Sequence, residues 1–397
     1  MYLDRLEEEM LRGEMGPAVA RAMELLIALG EVFEAERLVP IEGAHISGVS
    51  YKNLDEAGLE FLEDLAELGA QTRVRATLNP AGMDLDIWRE MGIPHGFAER
   101  QLRVVKAFER MGVETTCTCT PYLIGHNPRQ GSQIAWAESS AVAFSNSVLG
   151  ARTNRESGPS ALASSITGRT PLYGYRIEEN RRPGAVVEVE AELKSHLDYS
   201  ALGYHIGEAL GSSVPYIRGV PRADEDSLKS LAASSATSGG IALFHMEGVT
   251  PEADRFGEED LKGLERITVE DEDLEEAISS LSGEVEDPVF CLGCPHCSLE
   301  EIRMAAKLLK GRRLRWRLWI FTSRGVYREA ERRGYIHTIL EAGGRVFRDT
   351  CMVVAPLREM GWREIATDSC KAAHYASNMG LKVRLESLEK MVEEASS

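Results

Sequence analysis

The sequence of 397 residues is long enough for two or three domains that each bury their own core, so its seven cysteines are not needed as disulfide staples. A hydrophobic content of 43% and a charged content of 27% are those of a soluble globular protein, the acidic start MYLDRLEEEM is unlike a signal peptide, and no run of about 20 apolar residues offers a membrane span. A formal net charge of −18 argues against a surface made for nucleic acid or anionic lipid, and sparse, odd-numbered cysteines fit a reducing cytoplasm that keeps thiols for metal or chemistry. Any anionic substrate must then be gathered by a local basic pocket.

Apolar residues recur at helical spacing from Asp4 to about Ala35, and Gly16-Pro17 restarts the helix where proline is tolerated, which predicts two N-terminal helices. "RLVPI" (37–41) reads as a short strand. It is followed by "EGAHISGVSYKN" (42–53), whose glycine, serine and histidine content predicts a polar loop at a strand-to-helix crossing. A helix over 54–68, the strand "TRVRATL" (72–78), the turn "NPAGMD", a helix over 97–111 and the strand "VETTCTC" (113–119) continue a βαβα alternation, which predicts a sheet wrapped by helices. The middle mixes helices at 138–149, 159–168, 199–210 and 224–236 with strands at 185–191 and 240–246, and closes on the acidic helix former "EDEDLEEAISSL" (270–281), a solvated face. From 287 the pattern is regular. "DPVFCLG" is a strand, Ser298 and Glu301 form a capping box opening a helix over 298–310, and "RLRWRLWIFTS" (313–323) is a strand. A helix over 325–342, strands over 345–354 and 363–369, a helix over 370–379 and a terminal helix follow.

The stretch "CLGCPHC" (291–297) concentrates three cysteines and a histidine. Haem attachment is excluded, because Pro295 separates Cys294 from His296. No second CxxC or HxxxH completes a zinc knuckle, so zinc from this stretch alone and a Cys291/Cys294 dithiol at a helix N-terminus stand as alternatives. Cys291 and Cys297 read as small buried hydrophobes. Cys294 lies in a Gly-Cys-Pro-His turn, Cys119 ends a strand in "TCTPY", and Cys351 sits in "RDTC" at a strand end. Three thiols from three strand-to-helix crossings, meeting in one crevice, are a way to hold an iron–sulfur cluster with one open iron. Cys117 is two residues from Cys119, and strand alternation would give both one face, which leaves open which is the ligand.

The words "GAHISGVSYKNL" (43–54), "TLNPAGMDL" (77–85), "TCTPYL" (118–123), "AWAESSAVAFSNSVLGARTNRESGPSALA" (135–163), "LGCPHCSLEE" (292–301), "LWIFTSR" (318–324) and "DTCMVVAP" (349–356) resemble the aconitase X family, within the aconitase superfamily of iron–sulfur hydro-lyases. The resemblance covers about residues 40 to 380. It implies an α/β fold of about three domains, 1–125, 126–285 and 286–397, with helix-wrapped, largely parallel sheets around a central cluster crevice. It also implies an iron–sulfur cluster, 4Fe–4S or, without its open iron, 3Fe–4S, held by Cys119, Cys294 and Cys351, with Cys117, Cys291, Cys297 and Cys370 outside the pattern. Family members that carry a swivelling domain in the same chain are longer by roughly 130 residues, so this length resembles a large subunit whose partner is a separate small swivel-domain subunit. That partner would supply the main base, a serine. The implied reaction is dehydration of (R)-5-phosphomevalonate to trans-anhydromevalonate 5-phosphate. A cis-3-hydroxy-L-proline dehydratase is the alternative within the family, and a non-enzymatic zinc-binding or assembly subunit the alternative outside it.

The candidate site residues lie in the same motifs. Ser47, with His45, is in the first polar loop and Asn79 in "LNPAG"; Glu138, Ser139, Asn146, Arg152, Asn154 and Arg155 are in the long central motif; Arg324 is in "TSR"; Ser369 and Lys371 are in "DSCKAAH". Ser47, Glu138, Ser139 and Lys371 are expected in catalytic roles, the others in holding substrate, with Arg152, Arg155 and Arg324 suited to grip carboxylate or phosphate. His45 and His296 are expected to order loops rather than ligate metal.

Overall fold

The computed structural model describes residues 1–220 and 222–396. A three-stranded parallel sheet has Gly43–Ile46 at its centre, flanked by Arg75–Leu78 and Ala135–Trp136. Residues 42–53 are therefore not wholly the loop that their composition predicts: the first of them form a strand buried at every position. Gly43 and Ala44 are small, and both ring nitrogens of His45 find partners, Thr77 Oγ1 at 2.9 Å and Asn79 Oδ1 at 3.4 Å, so a polar side chain is buried without an orphaned atom. The strand expected over 113–119 is also absent. Only Glu114 bridges to Thr77, and Cys117 takes a φ of 41°, which turns the chain out of a ladder. Leu38–Pro40 pairs with Arg169–Pro171 in a separate antiparallel ribbon, and Leu38 and Ile166 share an apolar core with Ala44 and Ile46 of the first sheet.

The middle holds a four-stranded parallel sheet in the order His245–Met246, Pro215–Arg218, Ala185–Val189, Glu265–Val269. Its long helices, His196–Leu210 and Glu225–Ser238, pack on each other.

The last part is a five-stranded parallel sheet in the order Arg345–Arg348, Leu318–Thr322, Val289–Cys297, Glu364–Thr367, Lys382–Leu385. Its central strand is buried throughout, but register with Leu318–Thr322 breaks between Leu292 and Cys297. Gly293 makes the break: its φ is 100°, and a Cβ there would lie 2.1 Å from the Phe321 carbonyl oxygen. The capping box forms as expected, with Glu301 N–H on Ser298 Oγ at 3.1 Å and Ser298 N–H on the Glu301 carboxylate at 2.7 Å. The single helix expected over 325–342 is two, Arg324–Arg332 and Tyr335–Ala342, separated at Gly334.

The carboxyl ends of the first and last sheets face each other. Ala81 N–H donates to the Asp349 carbonyl at 2.7 Å, Ser50 Oγ to the Val354 carbonyl at 2.9 Å, and fully buried Asp84 accepts from the Arg348 backbone at 2.9 Å. One apolar core runs through all three parts, with Trp136 and Phe144, Leu202 and Leu231, and Phe321 and Phe347 in the same cluster. The crevice thus lies where parallel sheets present their loops. No helix among the described residues is long and apolar enough to cross a membrane.

Candidate active site

Cys119, Cys294 and Cys351 are buried, each exposed by 8% or less. Cys351 follows the strand Arg345–Arg348, Cys294 sits at the register break of the central strand, and Cys119 lies in irregular chain past the Glu114 bridge; the three lie within electrostatic reach of one another. Burial pushes the Cys119 thiol up to about 12, and charge on Cys351 adds to the rise; burial, then charge on Cys351 and Cys119, raises Cys294 against the pull of Lys371. Burial also raises Cys351. Against burial stands a set of donors. His296 N–H points to Cys119 Sγ at 3.2 Å, the backbone N–H groups of Val354 and Val353 bond Cys351, the Ser369 hydroxyl bonds Cys294, and the charge of Lys371 favours all three thiolates.

Cys117 and Cys119 differ in their surroundings. After burial, Cys117 senses Asp349 and Arg324, not the three thiols. Cys291 senses Arg317 and Asp368, Cys297 senses Glu301 and Lys229, and Cys370 accepts from Ser200. Among the described residues no three His, Cys, Asp or Glu side chains close around a single ion. A zinc ion, with bonds to sulfur of about 2.3 Å, needs such a knot, whereas a multi-iron cluster needs thiols spread around a wider space. Thr350 Oγ1, beside Cys351, is buried with no partner. This donor set suits a multi-iron cluster and not a lone ion in 291–297.

A buried polar chain runs beside the thiols. His126 Nδ1 and His45 Nδ1 lie 3.0 and 2.9 Å from Thr77 Oγ1; Asn79 Oδ1 meets His45 Nε2, and Asn79 Nδ2 donates to Glu138 Oε2 at 2.8 Å. The other Glu138 oxygen accepts from Ser140 Oγ at 2.8 Å and from Lys371 Nζ, which also donates to Ser140 at 3.2 Å. Burial opposes the Glu138 carboxylate, but the charge of Lys371 and the hydrogen bonds from Lys371, Ser140 and Asn79 outweigh it and hold the group at about 2. Lys371 stays charged for the converse reason: burial lowers it, and Glu138 and the thiols raise it well above the usual lysine value. Burial holds His45 down to about 4 and His126 to about 3, so both rings are neutral near pH 7.

Ser47, Asn79 and Glu138 thus follow the three strands of the first sheet, Arg324, Cys351 and Ser369 follow strands of the last, and Cys294 lies within its central strand, at the register break. Ser47 is half-buried, its carbonyl oxygen so close to Gly158 that a Cβ there would sit 2.5 Å away. Sequence reasoning named Ser139, which has no hydrogen-bonded side-chain partner among the described residues, and missed Ser140. The signal was position: Glu138 is the N-cap residue of Ser139–Ser147, and the hydroxyl of the serine two residues on reaches back to its carboxylate. Four expected substrate-holders are engaged with protein. Arg324 grips both Asp349 oxygens at 2.8 and 2.6 Å and Asp86 at 2.8 Å; Arg152 pairs with Glu178; Asn146 donates to the Thr153 and Ala242 carbonyls at 2.9 and 2.8 Å; Asn154 holds Tyr173 and Tyr175 backbone atoms at 3.0 and 2.9 Å. Arg155 is exposed and has no ion-pair partner among the described residues.

Comparison with known proteins gives the same architecture a family. Models described as the aconitase X first, second and third domains match residues 1–179, 183–279 and 288–397. A protein of Methanothermobacter thermautotrophicus named phosphomevalonate dehydratase large subunit is 52% identical over 96% of this chain and 94% of its own length. A cis-3-hydroxy-L-proline dehydratase of Pseudomonas aeruginosa is 38% identical over 99% of this chain and 70% of its own. The crystal structure of Thermococcus kodakaraensis aconitase X in its holo-form superposes with a TM-score of 0.93 at 45% identity, covering all of both chains. With three crossing thiols, facing parallel sheets and these matches end to end, the chain belongs to the aconitase X family.

Proposed function

We propose that the chain is the large subunit of a cytoplasmic iron–sulfur hydro-lyase that dehydrates (R)-5-phosphomevalonate to trans-anhydromevalonate 5-phosphate, with Cys119, Cys294 and Cys351 as cluster ligands. The observation that carries the reading is the meeting of three donor-supported thiols beside the Glu138–Lys371 pair, in a chain 52% identical to a relative named for that activity. A 4Fe–4S cluster with one iron free of cysteine would supply a Lewis acid for the hydroxyl and carboxylate of a β-hydroxy acid. The chain's own groups do the holding. Lys371 provides positive charge beside the thiols of an acidic protein, and Arg155, exposed and without an ion-pair partner among the described residues, is assigned the grip on the phosphate. Glu138, ionised and fixed by Asn79, Ser140 and Lys371, is a preset hydrogen-bond acceptor for a substrate hydroxyl. Ser47 and Ser369 complete the polar rim, and a small swivel-domain subunit brings the main base and excludes water.

The test is anoxic reconstitution of the chain and a small subunit with iron and sulfide, followed by the loss of 5-phosphomevalonate. A loaded complex that leaves it untouched but consumes cis-3-hydroxy-L-proline replaces the substrate assignment with the second activity found among the relatives. A chain that binds zinc and no labile sulfide removes the cluster assignment.

A further inference from the structure

His296 lies two residues past Cys294, is fully buried, and uses its four polar atoms on three segments distant in sequence. Its backbone N–H donates to Cys119 Sγ at 3.2 Å, and its carbonyl accepts from Lys229 Nζ at 3.3 Å. Its ring Nδ1 lies 3.0 Å from Thr118 Oγ1, and its Nε2 lies 2.8 Å from the Thr350 carbonyl oxygen. A carbonyl only accepts, so Nε2 carries the hydrogen and Nδ1 accepts from the Thr118 hydroxyl. The Thr118 oxygen accepts from Thr120 N–H at 3.2 Å and lies 3.1 Å from Thr120 Oγ1, which can donate to it, so the Thr118 hydrogen goes to Nδ1.

Thr118 and Thr350 each immediately precede one of the other two site thiols. The turn that carries Cys294 is thereby bonded through one side chain to the loops of Cys119 and Cys351. Lys229 ties the same residue to the middle of the chain, where its ammonium is anchored on Asp226 at 2.8 Å and on Glu301. Bonds from His296 therefore fall in the first, second and third family domains.

We propose that His296 is a positioning residue that fixes the spacing of the three site thiols before any iron binds, by hydrogen-bonding the Cys119 and Cys351 loops to the Cys294 turn. The inference rests on the reading of those thiols as cluster ligands. Its physical basis is that a site whose ligands are already held loses less order on loading, and residues that orient ligands control affinity without touching the metal.

The full-length, metal-free chain can be alkylated with iodoacetamide without oxygen, and each cysteine followed by peptide mass spectrometry. In H296A, Cys119, Cys294 and Cys351 should react about tenfold faster than in the wild type, the effect of losing roughly one net hydrogen bond of local opening free energy. Cys291 and Cys370, which His296 does not touch, should keep their rates. Unchanged site thiols, or one common acceleration of all seven cysteines, overturns the proposal. Thr118→Val keeps the shape and removes the hydroxyl, with its bond to Nδ1 and its contacts to Thr120, and it should speed Cys119 while Cys291 and Cys370 keep their rates; an unchanged Cys119 there overturns the proposal even where H296A gives no soluble chain. Iron and sulfide uptake by the wild type is measured separately. Its failure removes the ligand reading, while the alkylation pattern decides the role of His296 by itself.

Discussion

Lys229→Met should weaken the fold in a way that depends on pH. The Lys229 side chain has no solvent exposure, and its ammonium neutralises Asp226 and Glu301, whose side chains are exposed by only 9% and 15%. Methionine fills the space but leaves two carboxylates buried beside each other, with Ser298 Oγ on Asp226 at 2.7 Å, Ser298 N–H on Glu301 and the His196 ring 3.8 Å from Glu301 among the remaining partners. Removing one side of a buried ion pair costs about 3–5 kcal/mol. With about 2 cal/mol/K of unfolding entropy per residue, 397 residues melting as one unit turn that into a loss of roughly 4–6 °C. Without the cation, burial and mutual repulsion raise both carboxyl groups above their unfolded values of about 4. Groups raised on folding favour the fold below the unfolded value and disfavour it as pH rises through the folded one, so the deficit is large at pH 8 and shrinks towards pH 4. Thermal melts of the wild type and K229M at pH 5 and pH 8 read it directly. The same deficit at both values, or a loss under about 1 °C, refutes the unpaired-charge explanation.

Cys351→Ser should abolish iron and sulfide retention while Cys291→Ser keeps it, as read by metal and sulfide analysis after reconstitution; equal loading of the two variants contradicts the ligand assignment. His45 and His126 stay neutral when folded but take up protons when unfolded, so stability is complete above about pH 6.5 and falls as pH drops, by roughly 1.4 kcal/mol per unit for each. Urea titrations at pH 7, 6 and 5 should show a shallower fall in His126→Gln, and identical slopes would sink this account. Arg155→Ala should raise KM for 5-phosphomevalonate by about 10–100-fold with little change in kcat, the loss expected for one charge-assisted phosphate contact. An unchanged KM places the phosphate elsewhere.

What was legible in the sequence was whatever a short window encodes. The Ser298 capping box, the helix periodicities and the βα alternation are local, and the structure reproduces them. Long motifs carried the three cysteines together because each sits in its own recognisable word. The misreadings share a different origin, partners distant in sequence. Residues 43–46 look like a loop because the groups that satisfy His45 are Thr77 and Asn79, on the next strand. Arg324 looks available until Asp349 and Asp86 are brought to it from both sides of the crevice. The strand expected to run to 354 stops at Arg348, because Asp349 adopts a φ of 67° to present its carboxylate to Arg324. Lys382–Leu385 was not foreseen, since an edge strand with alternate residues in solvent lacks an apolar run.

The crevice is built by segments that leave the ribosome far apart in time. Cys119 emerges with the first sheet, held to it by Thr118 N–H on the Leu78 carbonyl at 2.9 Å, long before Cys351 is made. At roughly 5–20 residues per second, the interval is about 10–50 s. During it Cys119 has neither the His296 N–H nor the Lys371 charge, and nothing of the last sheet covers it. On the proposed ligand assignment, cluster insertion would follow completion of the chain, and Cys119 would be the site thiol exposed longest to oxidants and stray metal while the rest is synthesised.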